Sequence, residues 1–211
     1  MTNPVRPTPY KLELRTKILD VAMNQFKQKG IRNVRMDDIA TMLGISKRTL
    51  YEIYNNKEQL LYEGVVRDEE MRSALIHEFS RTAENEMEII VEVLKMKLRE
   101  LGQINPLFFS ELHKYETVVE YLRQTHLKSN QESLSFFLHG VEGGFFRKHV
   151  NYELILQMSN AVMNHVVEEK LYNRVSLQEI FVNYVNVIIR GLCTEKGLEI
   201  LDAKLPDSSI M

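Results

Sequence analysis

Apolar residues recur along the chain at three- and four-residue intervals, and strand-like alternation is nearly absent. In the first such segment Ile18, Ala22 and Phe26 line one face, with Leu19 and Met23 beside them. This predicts a helix from about Leu12 to Lys29, with Gly30 as its natural stop. A second helix, from about Met36 to Leu43, carries Asp37 and Asp38 in its first turn, where the helix dipole favours carboxylates. A third begins after Ser46, a good N-cap. A fourth begins after Asn56, with Gln59 three residues on in a capping-box pattern, and runs to about Phe79. Helices follow over about 84–101, 106–114 behind the Asn105-Pro106 break, 117–139, 152–171 and 176–192, then a short one near 195–203. The prolines of "MTNPVRPTPY" read as a mobile arm, and the glycines of "HGVEGGFFRKHVN" (139–151) as a loop. The expected class is all-α.

Within this pattern Ile39, Ala40, Leu43, Gly44, Ile45 and Leu50 fall at the offsets of a helix-turn-helix. Two short helices crossing steeply need a small residue at the contact, here Ala40. The turn needs positive φ, which Gly44 supplies. Ile45 and Leu50 bury the second helix of the pair against the first. A rotation of about 100° per residue then turns Leu50 and Ile53 inward and Arg48, Tyr51 and Glu52 outward, flanked by Lys47 and Thr49. Tyr54 lies nearer the buried side.

A short helix with two cations and a hydroxyl in its first turn fits the major groove of B-DNA. Arg48 suits the bidentate contact to guanine O6 and N7, and Thr49 a thymine methyl or a phosphate. Lys47, Tyr51 and Lys57 suit phosphate oxygens, which position a protein without reading sequence. The plain alternative makes Lys47 and Lys57 solvated cations and Tyr51 and Tyr54 caps on a small core. Glu52 stands apart, because a carboxylate on this face repels phosphate. Either it accepts from a cytosine N4 amine or it pairs with Arg48 one helical turn away.

Charge sharpens the picture. Residues 1–57 hold eleven Lys/Arg against five Asp/Glu, a net of +6, whereas the remainder holds sixteen against twenty-four, a net of −8. A cationic head on an acidic body points to a polyanion partner for the head alone. The single cysteine, Cys193, permits no internal disulfide and fits a reducing cytosol. No apolar signal segment follows the start, and the most apolar run, "FVNYVNVII", is too short to span a bilayer. The expected location is cytoplasmic, with no membrane partner.

The segment "RTKILDVAMNQFKQKGIRNVRMDDIATMLGISKRTLYEIYNNKEQLLYEGV" (residues 15–65) closely resembles the DNA-binding head of the tetracycline-repressor (TetR) family. The pieces that carry the likeness are "ILDVAMNQF", "GI", "MDDIATMLGISKRTLY" and "NKEQLL". They cover about a quarter of the chain. The resemblance implies a homodimeric transcriptional regulator with nine or more helices per subunit. Carried over residue by residue, it implies DNA contacts from Arg35, Lys47, Arg48, Thr49, Tyr51, Tyr54 and Lys57. Two positions depart from the pattern. Arg35 stands where a capping Ser or Thr is usual, and Ile53 where an aromatic residue or histidine is common.

The expected architecture is a three-helix DNA-binding head over residues 1–57 and a ligand-binding and dimerisation body over 58–211. The helices near 152–171 and 176–192 are apolar around most of their circumference, from Leu154 to Leu171 and from Ile180 to Leu192. A body of this size rarely encloses two such helices, so each is expected to meet a second subunit in a four-helix interface. A twofold dimer then presents two reading helices to palindromic DNA. For a small-molecule inducer the candidate lining is Phe108, Phe109, His113, Tyr115, Tyr121 and Phe136, which mix aromatic bulk with polar tips.

The rival class is a helical enzyme or metal protein using the body's histidines and glutamates. The six histidines (77, 113, 126, 139, 149 and 165) form no His-Glu-x-x-His, although His165 and Glu169 stand at i,i+4. No cofactor, catalytic residue or metal site is expected from these patterns.

Overall fold

The computed structural model describes residues 8–205, with the side chains of residues 126 and 127 left out. Ten α-helices follow one another among the described residues. They are α1 (Pro9–Lys29), α2 (Met36–Met42), α3 (Lys47–Ile53), α4 (Lys57–Ser80), α5 (Glu86–Gln103), α6 (Pro106–Leu112), α7 (Glu116–Glu142), α8 (Tyr152–Glu168), α9 (Leu177–Leu192) and α10 (Glu195–Lys204). A 3₁₀ turn at Leu171–Asn173 follows α8, entered through Lys170 with φ +52°.

The element pattern follows the periodicity, and the differences lie at the ends. Residues 1–7 of the expected arm lie outside the described residues. Thr8, Pro9 and Tyr10 are not arm but helix start: Thr8 caps α1 and Pro9 opens it, where its missing N–H and fixed φ cost nothing. The expected loop over 139–151 is shorter than its glycines suggest. α7 continues through Gly140 to Glu142, because a Cβ at Gly140 would stand 2.3 Å from the Phe146 ring. That glycine admits an aromatic ring; it does not break the helix.

Two hydrophobic cores organise the chain. The first takes Ile18, Ala22 and Phe26 of α1, Ile39 and Ala40 of α2, Leu50 of α3 and Leu60 and Leu61 of α4. It also takes Ile104, Phe108, Leu112 and Val118, so α6 and the start of α7 pack into the head. Hydrogen bonds mark the same seam. The Asn105 amide donates to the Lys27 carbonyl at 2.7 Å, and the Arg32 amide to Oε2 of the buried Glu111 at 2.8 Å. Ion pairs Lys27–Asp68 (2.6 Å), Arg67–Asp20 (2.8 Å) and Arg15–Glu63 fix α1 against α4. Such part-exposed pairs contribute little each, about 0–1 kcal/mol, so they orient these helices more than they stabilise them.

The second core joins Met87, Ile90, Val91 and Leu94 of α5 to Phe137, Phe146, Tyr152, Val185, Leu192 and Leu201. Phe137 stacks on Tyr152 with ring centroids 5.1 Å apart, and Phe146 meets Phe137 edge to face. The α7–α8 loop is tied to the α9–α10 junction by backbone bonds, Arg147 N to Leu192 O and Thr194 N to Phe145 O, both 2.9 Å. Cys193 is buried at this junction, and burial pushes its thiol up to about 11.

Gly197 sits in the first turn of α10 where a Cβ would come within 2.4 Å of the Phe145 carbonyl oxygen. Backbone cannot step aside as a side chain can. Gly197→Ala is therefore expected to destabilise the fold by about 1–3 kcal/mol, read as a lowered midpoint in thermal unfolding. An unchanged midpoint would show that the junction is looser than described.

Candidate nucleic-acid interface

The turn between α2 and α3 is built from the residues that the pattern singled out. Gly44 adopts φ +64° with open space where a Cβ would stand, so its role is conformational. The Ile45 amide closes the turn on the Ala40 carbonyl at 3.0 Å. Ser46 caps α3 by accepting from the Thr49 amide at 3.0 Å, and the two hydroxyls lie 2.8 Å apart. Leu50 is fully buried, so α3 is held by its inner face and presents the opposite one.

On that outer face Lys47, Arg48, Tyr51 and Glu52 are exposed, and Thr49 is half-buried. Neither cation of the first turn stands alone. The Lys47 ammonium lies 2.5 Å from an Asp37 oxygen at the start of α2, and the hydrogen bond to that carboxylate raises the lysine pKa. Arg48 donates its Nε–H to Glu52 Oε1 at 2.9 Å, which raises the arginine pKa. Of the two roles open to Glu52, the pairing with Arg48 is present in the free chain.

Arg35 is exposed beside this face, at the N-cap of α2. A guanidinium has no acceptor to offer the helix amides, so it does no capping. Instead Asp38 reaches back and accepts from the Arg35 amide at 2.9 Å. The reciprocal half of a capping box is thereby present, while no side chain at position 35 accepts from the helix amides.

Two other candidates are placed differently. Tyr54 is fully buried, with the Arg15 guanidinium 5.0 Å from its ring centroid, and burial raises its pKa. A ring with no exposed surface makes no DNA contact in this conformation; it is core, because position 54 returns to the inner side of α3. Lys57 is half-buried, and its ammonium donates to the carbonyls of Ile31 (2.9 Å) and Val34 (3.0 Å). Burial lowers its pKa. Two of its three donors thus satisfy the α1–α2 turn and hold Arg35 in place.

Four of the six inducer candidates gather at the first core, and two lie apart from them. Phe108 is buried in the first core, with Phe109, Tyr115 and Tyr121 against it, whereas Phe136 belongs to the second core and His113 is exposed. Their mix of aromatic bulk and polar tips carries no information on which core each side chain meets. A cleft of about 790 Å³ does open between the starts of α4 and α7. Tyr62 and Tyr121 meet there edge to face at 5.7 Å, bordered by Glu58, Thr117 and Glu120. Of the six candidates only Tyr121 borders it. Tyr62 borders it from α4, and no cap or motif signal in the sequence singles that residue out.

The histidines do not converge. His165 is exposed near the end of α8, and Glu169 is already the residue that terminates that helix. The His126 side chain lies outside the described residues. Among the described residues no three His, Cys, Asp or Glu side chains are grouped to hold a metal ion. No described helix is long and apolar enough to cross a membrane.

Residues 18–63 match the family model of bacterial regulatory proteins of the tetR family. The chain is 28% identical over 187 residues to the uncharacterized HTH-type transcriptional regulator YvaF of Bacillus subtilis, covering 85% of this chain and 96% of that one. Its fold is shared with a TetR-family transcriptional regulator from Agrobacterium tumefaciens (TM-score 0.71, 14% identity, 87% of this chain and all of that one). It is shared as well with a proposed transcriptional regulator from Saccharomonospora viridis solved in complex with choline (TM-score 0.71, 18% identity, 87% and 100%). The matched segment runs from α1 into α4 and contains the whole helix-turn-helix, and the remaining helices follow the same architecture. The segment that holds the helix-turn-helix is thus a DNA-binding head of the kind found in bacterial regulatory proteins of the tetR family, carried on a body with the fold of TetR-family regulators.

Proposed function

We propose that the protein is a repressor that binds a palindromic operator as a homodimer and leaves it when a small molecule occupies the body. The observation that carries the DNA contact is the outer face of α3. It is held from behind by Leu50 and offers Lys47, Arg48, Thr49 and Tyr51, with Arg35 alongside. In this reading Arg48 takes a guanine through O6 and N7 in the major groove. Lys47, Tyr51 and Arg35 bind phosphate oxygens, and Lys57 keeps the α1–α2 turn rigid behind them.

Dimerisation through α8 and α9 is supported by what those helices leave uncovered. Leu154, Met158, Val162 and Met163 of α8 and Val187 of α9 are exposed in the single chain. Large apolar side chains clustered on two neighbouring helices mark an association surface. The small-molecule response is supported by the choline-bound neighbour. A ligand that prefers one separation of the two heads lowers operator affinity by the ratio of its affinities for the two states.

Selection from randomised duplex DNA by the purified full chain tests this reading. The expected product is a palindrome with half-sites about one helical turn apart or a multiple of it, bound more weakly as salt rises. Absence of binding to any duplex at low ionic strength would overturn it.

A further inference from the structure

A carboxylate stands in the middle of a face built for a polyanion. Glu52 is 51% exposed on α3, one turn beyond Arg48, whose side chain is 89% exposed. Near phosphate a negative charge weakens every duplex contact alike. An exposed i,i+4 pair adds little to stability, so holding the helix together does not account for Glu52.

The geometry of the pair does. Arg48 gives its Nε–H to Glu52 Oε1 at 2.9 Å. The terminal amino groups of the guanidinium are left for an outside partner, and the fork that suits guanine O6 and N7 is already oriented. Glu52 in turn keeps its second oxygen for another donor. Four residues advance about 6 Å along a helix, and stacked base pairs are about 3.4 Å apart. The two tips therefore address base pairs no more than about two steps apart.

Resting on the proposal that α3 enters the major groove, we infer that Glu52 is a specificity-determining residue which, held by Arg48, accepts a hydrogen bond from the N4 amine of a cytosine one or two base pairs away from the guanine that Arg48 reads. A carboxylate only accepts. Guanine O6 and N7 and thymine O4 are acceptors and repel it. Adenine offers its N6 amine beside the N7 acceptor, a mixed edge that suits an amide better. Cytosine presents the amine without a neighbouring acceptor. Glu52 thus lowers affinity for DNA in general and restores it at one base.

The test is duplex selection with the full chain and its Glu52→Ala and Glu52→Gln variants, each first shown to melt at the wild-type temperature. Wild type is expected to select a C·G pair at a separate position, one or two steps from the G·C pair whose preference disappears in Arg48→Ala. Glu52→Ala should lose preference at that cytosine alone, by roughly five- to a hundredfold. It should also bind unrelated duplexes several-fold tighter at low salt. Glu52→Gln should shift the position towards adenine, the base that an amide reads in a bidentate manner. A folded Glu52→Ala that selects the wild-type motif at every position overturns the inference while leaving the DNA-binding reading intact. So does one that loses all DNA binding, because a base-reading residue removes one preference and leaves the phosphate contacts. If wild type itself selects nothing, the DNA-binding reading falls and this inference with it.

Discussion

Replacing Met158 by glutamate and Val187 by aspartate together is expected to leave the protein monomeric at micromolar concentration and to lower its affinity for a palindromic operator by about 10²–10⁴-fold. The magnitude is that of losing a tethered second binding event: with two heads on one dimer, the second half-site is bound intramolecularly. The single chain leaves both positions bare, Met158 at 53% and Val187 at 71% exposure. A charge there meets water in the monomer and costs little. In a packed four-helix interface the same carboxylate has to be desolvated without a partner, at several kcal/mol. Sedimentation velocity reads the assembly state, and fluorescence anisotropy with a labelled operator reads the affinity. A double variant that stays dimeric and binds DNA undiminished would place the subunit contact elsewhere.

Arg48→Ala is expected to remove discrimination without touching the fold. A bidentate arginine–guanine contact contributes about 1–3 kcal/mol, and a dimer makes it twice, so cognate binding weakens by about 2–6 kcal/mol. Binding to unrelated duplexes changes far less, because phosphate contacts dominate it. The thermal midpoint should stay put, since the pair with Glu52 is solvated and adds little to stability. Titration against cognate and scrambled operators separates the two effects. Equal losses on both would make Arg48 a phosphate contact rather than a reader.

The head was legible because each of its devices is local. Gly44 for positive φ, Ser46 as cap and Leu50 as inner anchor are all fixed by near neighbours in the chain, and the structure has each in that role. The exposed apolar face of α8 and α9 was legible for a related reason, an excess of apolar residues over what one subunit buries. What sequence could not convey is where an inward face points once helices pack. Phe136 and Phe108 look alike along the chain, yet one belongs to each core. Lys57 resembles a free cation until the carbonyls of Ile31 and Val34, from a segment more than twenty residues earlier, close on it. Gly140 and Gly144 read as the same loop signal. The first is helical to admit the Phe146 ring, and the second takes φ +77° just past the helix end.

The packing of α6 into the head has a practical corollary for anyone wishing to transplant this operator-binding unit. A fragment cut at residue 57 would strip Ile104, Phe108, Leu112 and Val118 from their seats and leave the Arg32 amide without its buried carboxylate acceptor. Its underside would be apolar and the α1–α2 connection unanchored. A chimera that borrows the recognition surface has to carry the stretch from Ile104 to Val118 as well, or supply from the recipient protein a wedge of matching shape.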